Sequence, residues 1–249
     1  MADCRGRFLA FYSRPVIRGG GIIQFQDSIR SSRERITQQR QLPETKISPQ
    51  KQIGYLKDEE CLVNLTGHYD YLEVGYYASQ ELEMNGKVVH PTCKEILDSS
   101  VVPVFLERAR KEGLPVPDYY ITNEYFEPPV IVDSINPFMT RQSIVLKSGH
   151  QERVAKSLTR NYTYAICCQI LPAGAKIGEF RSVLGWCAKS RYLPMAQEVW
   201  RIFRMPLALV RVIILEDGSM MLSRLQELPF EKLSSSEIRH IEGKIQWQI

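Results

Sequence analysis

Between residues 61 and 126 the chain alternates short apolar runs of strand length with stretches of helical period. That alternation restricts it to folds that join strands through helical crossovers. "CLVNL" (61–65) is apolar and strand-like, and "YLEVGYYASQELEMNG" (71–86) follows with helical spacing. In that helix Gly75, Ala78, Ser79 and Leu82 share a face of mostly small residues, and Gly86 stands where a helix ends in the left-handed region. "KVVHPT" (87–92) is a second strand closed by Pro91, and "CKEILDSSVVPVFLERARKEG" (93–113) gives one or two helices, Pro103 opening the second. "PDYYITNEYF" (117–126) is a third β-rich run. The order predicts parallel pairing of all three strands, with ligands beyond their carboxyl ends.

The remainder reads as β-rich with short helices. "EPPVIVDSINPFMTRQSIVLKSG" (127–149) is proline-marked, with a strand near 143–147. "TYAICCQILP" (163–172) is a strand that sends Cys167 and Cys168 to opposite faces, so they form no redox pair. "KIGEFRSVLGWC" (176–187) is another strand and "PMAQEVWRIFRM" (194–205) a short helix. "LALVRVIILEDGSMMLSRLQEL" (207–228) is a hairpin turning at Asp217–Gly218, and "SSSEIRHIEGKIQW" (234–247) a helix capped by Ser234 or Ser235. The fold class is therefore α/β or mixed α+β: a small three-strand crossover unit, then a sheet with a β-hairpin and short helices. Residues 1–52 form an N-terminal strand, basic helical arm and linker. Residues 53–249 form the main domain, with a crossover half (53–126) and a hairpin half (127–249).

Charge separates the same two regions. The net charge is +4, yet residues 1–50 hold nine Lys or Arg against four Asp or Glu, while the rest hold 23 against 24. Arg30, Arg33, Arg35 and Arg40 lie in "DSIRSSRERITQQRQL" (27–42), where a helix could gather them against a phosphate backbone. Nucleic-acid binding through these four is the alternative reading.

No run approaches the roughly 18 apolar residues of a membrane span, and the N-terminus lacks a signal peptide's apolar core, which places the protein in the cytoplasm without a membrane partner. Its six cysteines are then expected to be reduced thiols. The nearest approach to metal spacing is "HPTC", His90 to Cys93, which supplies two ligands where a structural zinc site takes four, so no metal is expected. There is no GxGxxG and no GxxxxGK[ST], so no nucleotide cofactor is expected in this chain. A third reading, an independent Cys/His enzyme, lacks any signature tying a cysteine to one of the four histidines.

The candidate site is the loop "TGHYDY" (66–71), which leaves the first strand's carboxyl end. Tyr69 and Tyr71 offer aromatic faces with hydroxyl tips, His68 sits beside them, and Gly75 opens the next helix. That helix N-terminus suits a carboxylate, and Arg181 on the later strand supplies a second anion contact if the two halves face each other. Tyr76 and Tyr77 are read as packing residues.

Taken together, "LVNLTGHYDYLEVGYYASQELEMNGKVVHPT" (62–92) and "IGEFRSVLGWCAKSRYLPMAQEVWRIFRMPLALVRVII" (177–214) resemble the RimK-like ATP-grasp N-terminal domain family. That family shows an apolar strand, a Tyr-rich loop, a GYY that opens a helix, then a glycine and a strand ending in proline. The chain departs from it at "TGH" (66–68), where the family tends to a Cys-Arg pair. The resemblance implies a non-catalytic module that recognises a substrate or partner for ATP-grasp amide ligation. The ligase, in trans or in a following domain, would bring ATP and magnesium; a homo-oligomer is compatible with this. The 249 residues leave no room for that catalytic domain, on this expectation.

Overall fold

The computed structural model describes residues 52–136 and 142–247. The expected strand at 7–13 and the arm with Arg30, Arg33, Arg35 and Arg40 lie outside the described residues. The fold is mixed α+β, and the described strands form three sheets. The first has the order β11-β1-β2-β3 and contains β1 (Ile53–Leu56), β2 (Cys61–Asn64), β3 (Val89–His90) and β11 (Ile245–Trp247). The second, β10-β9-β8, contains β8 (Lys176–Val183), β9 (Leu207–Ile214) and β10 (Met220–Glu227). The third, β4-β7-β5-β6, contains β4 (Tyr119–Thr122), β5 (Val130–Ser134), β6 (Gln142–Val145) and β7 (Ile166–Ile170).

The crossover predicted around residue 75 is present. Helix α1 (Val74–Met84) carries the chain from β2 to β3, which pair in parallel with Leu62 opposite Val89 and Val63 opposite His90. Gly86 follows α1 with φ 68°. Thr92 caps α2 (Cys93–Ser100) in a reciprocal capping box with Glu95, and Pro103 lies in the first turn of α3 (Val102–Lys111). The third strand of the predicted crossover requires a correction. β4 does not join β2 and β3; it pairs antiparallel with β7, Tyr119 opposite Gln169. Helical crossovers fix handedness only for strands of the same sheet, and nothing local to residues 117–126 names their partner.

β7 does what its sequence demands. Cys167 packs into the main core and Cys168 into a separate core under α4 (Gln151–Leu158). The 207–228 hairpin forms around Asp217, whose carboxylate accepts from the Ser219 N–H at 2.8 Å and from its hydroxyl at 2.6 Å. The register shifts between Leu222 and Arg224, so Ser223 is the extra residue of a bulge. Helix α5 (Leu193–Phe203) and helix α6 (Ser235–Lys244) complete the set, α6 capped by Ser234 and Glu237 in a second capping box. The expected C-terminal helix stops there. Ile245–Trp247 instead add to β1 as β11, burying Ile245 in the main core.

The main core joins β2, α2, α3, α5 and the β8–β10 sheet through Val63, Phe105, Phe203 and Leu207, all inaccessible to solvent. It sets the loop after β2 against β10, and the candidate site lies on that seam.

Candidate functional site

The loop after β2 is organised by Asn64, the last residue of that strand. Its amide donates to the Gly75 carbonyl at 2.8 Å and to Ser79 Oγ at 3.0 Å. Its side-chain oxygen accepts from the Thr66 N–H at 3.1 Å and the Thr66 hydroxyl at 2.9 Å. Gly75 has no side chain for a steric reason, since a Cβ there would stand 2.2 Å from the His68 carbonyl oxygen and 2.4 Å from Thr66 Oγ1. The Gly75 N–H donates to that His68 carbonyl at 2.7 Å. The first turn of α1 is thus fastened to the loop.

The predicted site residues separate by environment. Tyr69 is 1% exposed, and its hydroxyl donates to the Asn64 carbonyl at 2.6 Å. Burial holds its phenol well above the usual tyrosine range. Tyr71 lies at the surface with its ring edge-on to Tyr76, centroids 5.2 Å apart. His68 stands between carboxylates, Nε2 3.1 Å from Glu231 Oε1 and Nδ1 3.6 Å from Glu73 Oε2. Arg181 is on β8 opposite Leu209. Its Nε faces Glu237 Oε1 at 3.1 Å, and it donates to the Lys232 carbonyl. The halves do face each other, but Arg181 is engaged with the chain's own groups.

Behind the loop is a cavity of about 200 Å³. Ile96, Met205, Leu209 and Leu225 give it apolar walls, while Asp70, Arg224, Glu227 and Lys232 bring charge to it. The Glu227 carboxylate accepts from the Tyr69 N–H at 2.8 Å and the Asp70 N–H at 3.4 Å. These loop donors are occupied by the protein's own carboxylate, and at the helix N-terminus expected to hold a ligand's carboxylate the Gly75 N–H is taken by the His68 carbonyl. Burial first, and then the neighbouring Asp70, raises the Glu227 carboxyl above the ordinary range. Asp70 is raised by burial and by Glu73, with Arg224 opposing. Two half-buried carboxylates that resist ionisation favour a positively charged or hydrogen-bond-donating guest. Ligand atoms of His68, Glu73 and Glu227 also lie within 4.8 Å of one another, as do those of Glu59, Cys61 and His90.

Sequence reasoning missed a second polar centre, where the third sheet meets the second. Asp133 on β5 is fully buried. It accepts from Arg211 on β9 at 3.0 and 2.6 Å, from Arg224 on β10 at 3.0 Å, and from Gln169 on β7 at 2.8 Å. The bulge residue Ser223 accepts from Arg211 Nε at 2.9 Å and donates to Gln169 Oε1 at 2.8 Å. Burial, and then Arg211, depress the Arg224 guanidinium, while Asp133 supports it. The available signal was the arginine in "LALVRVII", a charge amid a strand otherwise apolar throughout.

The fold has a counterpart among solved structures. It is similar to that of a RimK domain ATP-grasp protein from Sphaerobacter thermophilus DSM 20745, at a TM-score of 0.51 and 14% identity over 67% of this chain and 73% of that one. The chain belongs to the RimK-like ATP-grasp N-terminal domain family, whose model matches residues 50–243. Weaker likenesses include the D-alanine–D-alanine ligase of Bacillus anthracis (TM-score 0.48, 13% identity, 66% of this chain and 69% of that one). Another is the ATP-grasp ligase PsnB, solved with a phosphomimetic variant of its minimal precursor, Mg and ADP (TM-score 0.42, 15% identity). The match covers 69% of this chain and spans 62% of the PsnB chain, less than two thirds of it. No curated protein matches the chain.

Proposed function

We propose that this domain is a non-catalytic recognition module for ATP-grasp amide ligation, using the cavity behind residues 66–71 to hold part of a substrate or of the ligase's partner. ATP and magnesium belong to a ligase domain, in trans or in a following segment. The observation that carries this reading is the charged cavity beside Asp70 and Glu227, at the carboxyl end of β2, in a domain of this family. The non-catalytic part rests on the family, whose model describes the N-terminal domain of ATP-grasp proteins, and on the lack of a glycine-rich phosphate loop in the sequence. Tyr69 lines the cavity, His68 and Tyr71 belong to the same loop, Gly75 fastens that loop to α1, and Arg181 braces the Lys232 turn.

The test is reconstitution with the ATP-grasp ligase recovered from the native host. Adding the chain should raise ligation, and Asp70→Asn or Lys232→Ala should reduce that gain while far-UV circular dichroism stays unchanged. The chain alone should show no micromolar ATP affinity by calorimetry. ATP hydrolysis by the isolated chain, or a ligase indifferent to its presence, overturns the reading.

A further inference from the structure

The sequence pairs His90 with Cys93 through "HPTC", but the fold gives His90 a different sulfur. Cys93 Sγ points to the Tyr76 carbonyl at 3.9 Å, and its N–H donates to Glu83 at 2.8 Å. Burial, with Glu83 adding to it, pushes the Cys93 thiol up to about 11. Cys61, 29 residues from His90, is the nearer partner. β2 and β3 run in parallel with Val63 opposite His90, and Cys61 lies two residues before Val63, so its side chain shares that face. Glu59, in the turn that precedes β2, completes a trio whose ligand atoms all lie within 4.8 Å of one another.

We propose that Glu59, Cys61 and His90 form a zinc site. One thiolate, one imidazole and one carboxylate are borderline-soft donors of the kind zinc takes, and three protein ligands leave its fourth position to water. The second observation is the carboxylate behind the imidazole. Glu95 Oε2 lies 2.9 Å from His90 Nδ1, and the same oxygen accepts from the Thr92 N–H at 2.7 Å within the α2 capping box. A metal-ligating histidine is normally oriented in this way by a carboxylate on its other nitrogen. Here Nδ1 is engaged, so Nε2 is the nitrogen left to coordinate. The ring is further placed by Trp200, edge-on at 6.4 Å.

Charge also closes. Arg204 Nη1 donates to both Glu59 oxygens, at 2.9 and 2.8 Å, and holds that carboxylate in place while leaving each oxygen a further lone pair. With the Cys61 thiol deprotonated on binding, the ion and Arg204 together bring three positive charges. The thiolate, Glu59 and Glu95 bring three negative charges. Cys61 is 5% exposed, so the site is sheltered on the sheet side, and half-buried His90 and Glu59 form its open side. Zinc here would join the β1–β2 turn, β3 and the first turn of α2.

The experiment uses the full chain, stripped with chelator and titrated with zinc, then with cobalt(II) as the spectroscopic probe. The expected result is one equivalent bound, with thiolate-to-cobalt charge-transfer absorption. Cys61→Ser and His90→Ala should each abolish that absorption, Glu95→Gln should weaken zinc binding about 10- to 100-fold, and Cys93→Ser should leave both signals unchanged. Circular dichroism checks the fold of each variant, and Glu59→Gln provides a surface substitution that leaves the core intact and should also weaken binding. Absence of zinc binding at micromolar concentration, or binding as tight as the wild type's in Cys61→Ser and Glu59→Gln, overturns the proposal.

Discussion

Tyr69 and Tyr71 are two residues apart, and the fold gives them opposite work. The Tyr69 hydroxyl is sealed against the Asn64 carbonyl, so Tyr69→Phe leaves a buried acceptor without its donor. The expected cost is about 1–3 kcal/mol, read as a shift in the denaturant midpoint at constant m-value. Tyr71→Phe removes a hydroxyl from a residue at the surface and should shift that midpoint less than Tyr69→Phe does. Equal effects from the two variants would refute the distinction. The sequence located this loop at the carboxyl end of a strand, because the apolar run of β2 and the helical period after it are local signals. It could not tell which tyrosine faces inward. It also gave no hint that Asn64 ties strand, loop and helix together, since a polar residue ending an apolar run reads only as a boundary.

Among the elements, the antiparallel third sheet meets the second through a charge cluster beside an apolar one of Ile131, Leu171 and Ile213. Asp133 on β5 meets Arg211 on β9 and Arg224 on β10, and all three are under 4% exposed. Asp133→Ala removes the buried carboxylate that two guanidiniums share and should cost about 3–5 kcal/mol. Replacing Asp133 with Leu together with Arg211 and Arg224 with Met removes the need for pairing, so the triple variant should be more stable than Asp133→Ala alone. Thermal or denaturant unfolding of the two proteins decides it, and a triple variant less stable than the single one would sink the idea. Only the arginine within the otherwise apolar run of β9 hinted at this in advance. The hairpin was legible, because Asp217–Gly218 is a turn signal between two β-rich runs, and so was the cap of the last helix in Ser234, whereas the Thr92 cap of α2 emerged only from the structure. The pairing of β4 with β7 and of β11 with β1 was not, because strand partners distant in sequence are chosen by the core as a whole.

For the whole molecule, pH acts through the seam between the first and second sheets. Asp70 and Glu227 both have carboxyls raised in the folded state, mainly by burial. A raised carboxyl binds its proton more tightly when folded, so its contribution to stability is complete below the ordinary carboxylate pKa. That contribution is lost as pH rises through the folded value. The exposed Asp58, lowered first by its hydrogen bond with Lys244, and Asp217, lowered by Ser219, act in the opposite direction and lose their contribution as pH falls. Glu227→Gln should therefore gain stability relative to wild type as pH rises from the acid side of the carboxylate range toward neutrality. Parallel denaturant curves across that range check it, and a difference independent of pH would contradict the assignment. No helix of the described residues is long and apolar enough to cross a membrane.

The β11–β1 pairing has a consequence for how the domain connects to whatever adjoins it. Gly54 stands opposite Trp247, so the described chain enters and leaves through neighbouring strands of one sheet. A Cβ on Gly54 would fall 2.0 Å from the Ile245 side chain, so the two strands are locked at close range. Because the pair is antiparallel, Ile53 and Trp247 lie at the same end of it, so tension applied there would unzip β11 from β1 one residue pair at a time, and the described chain has a single doorway.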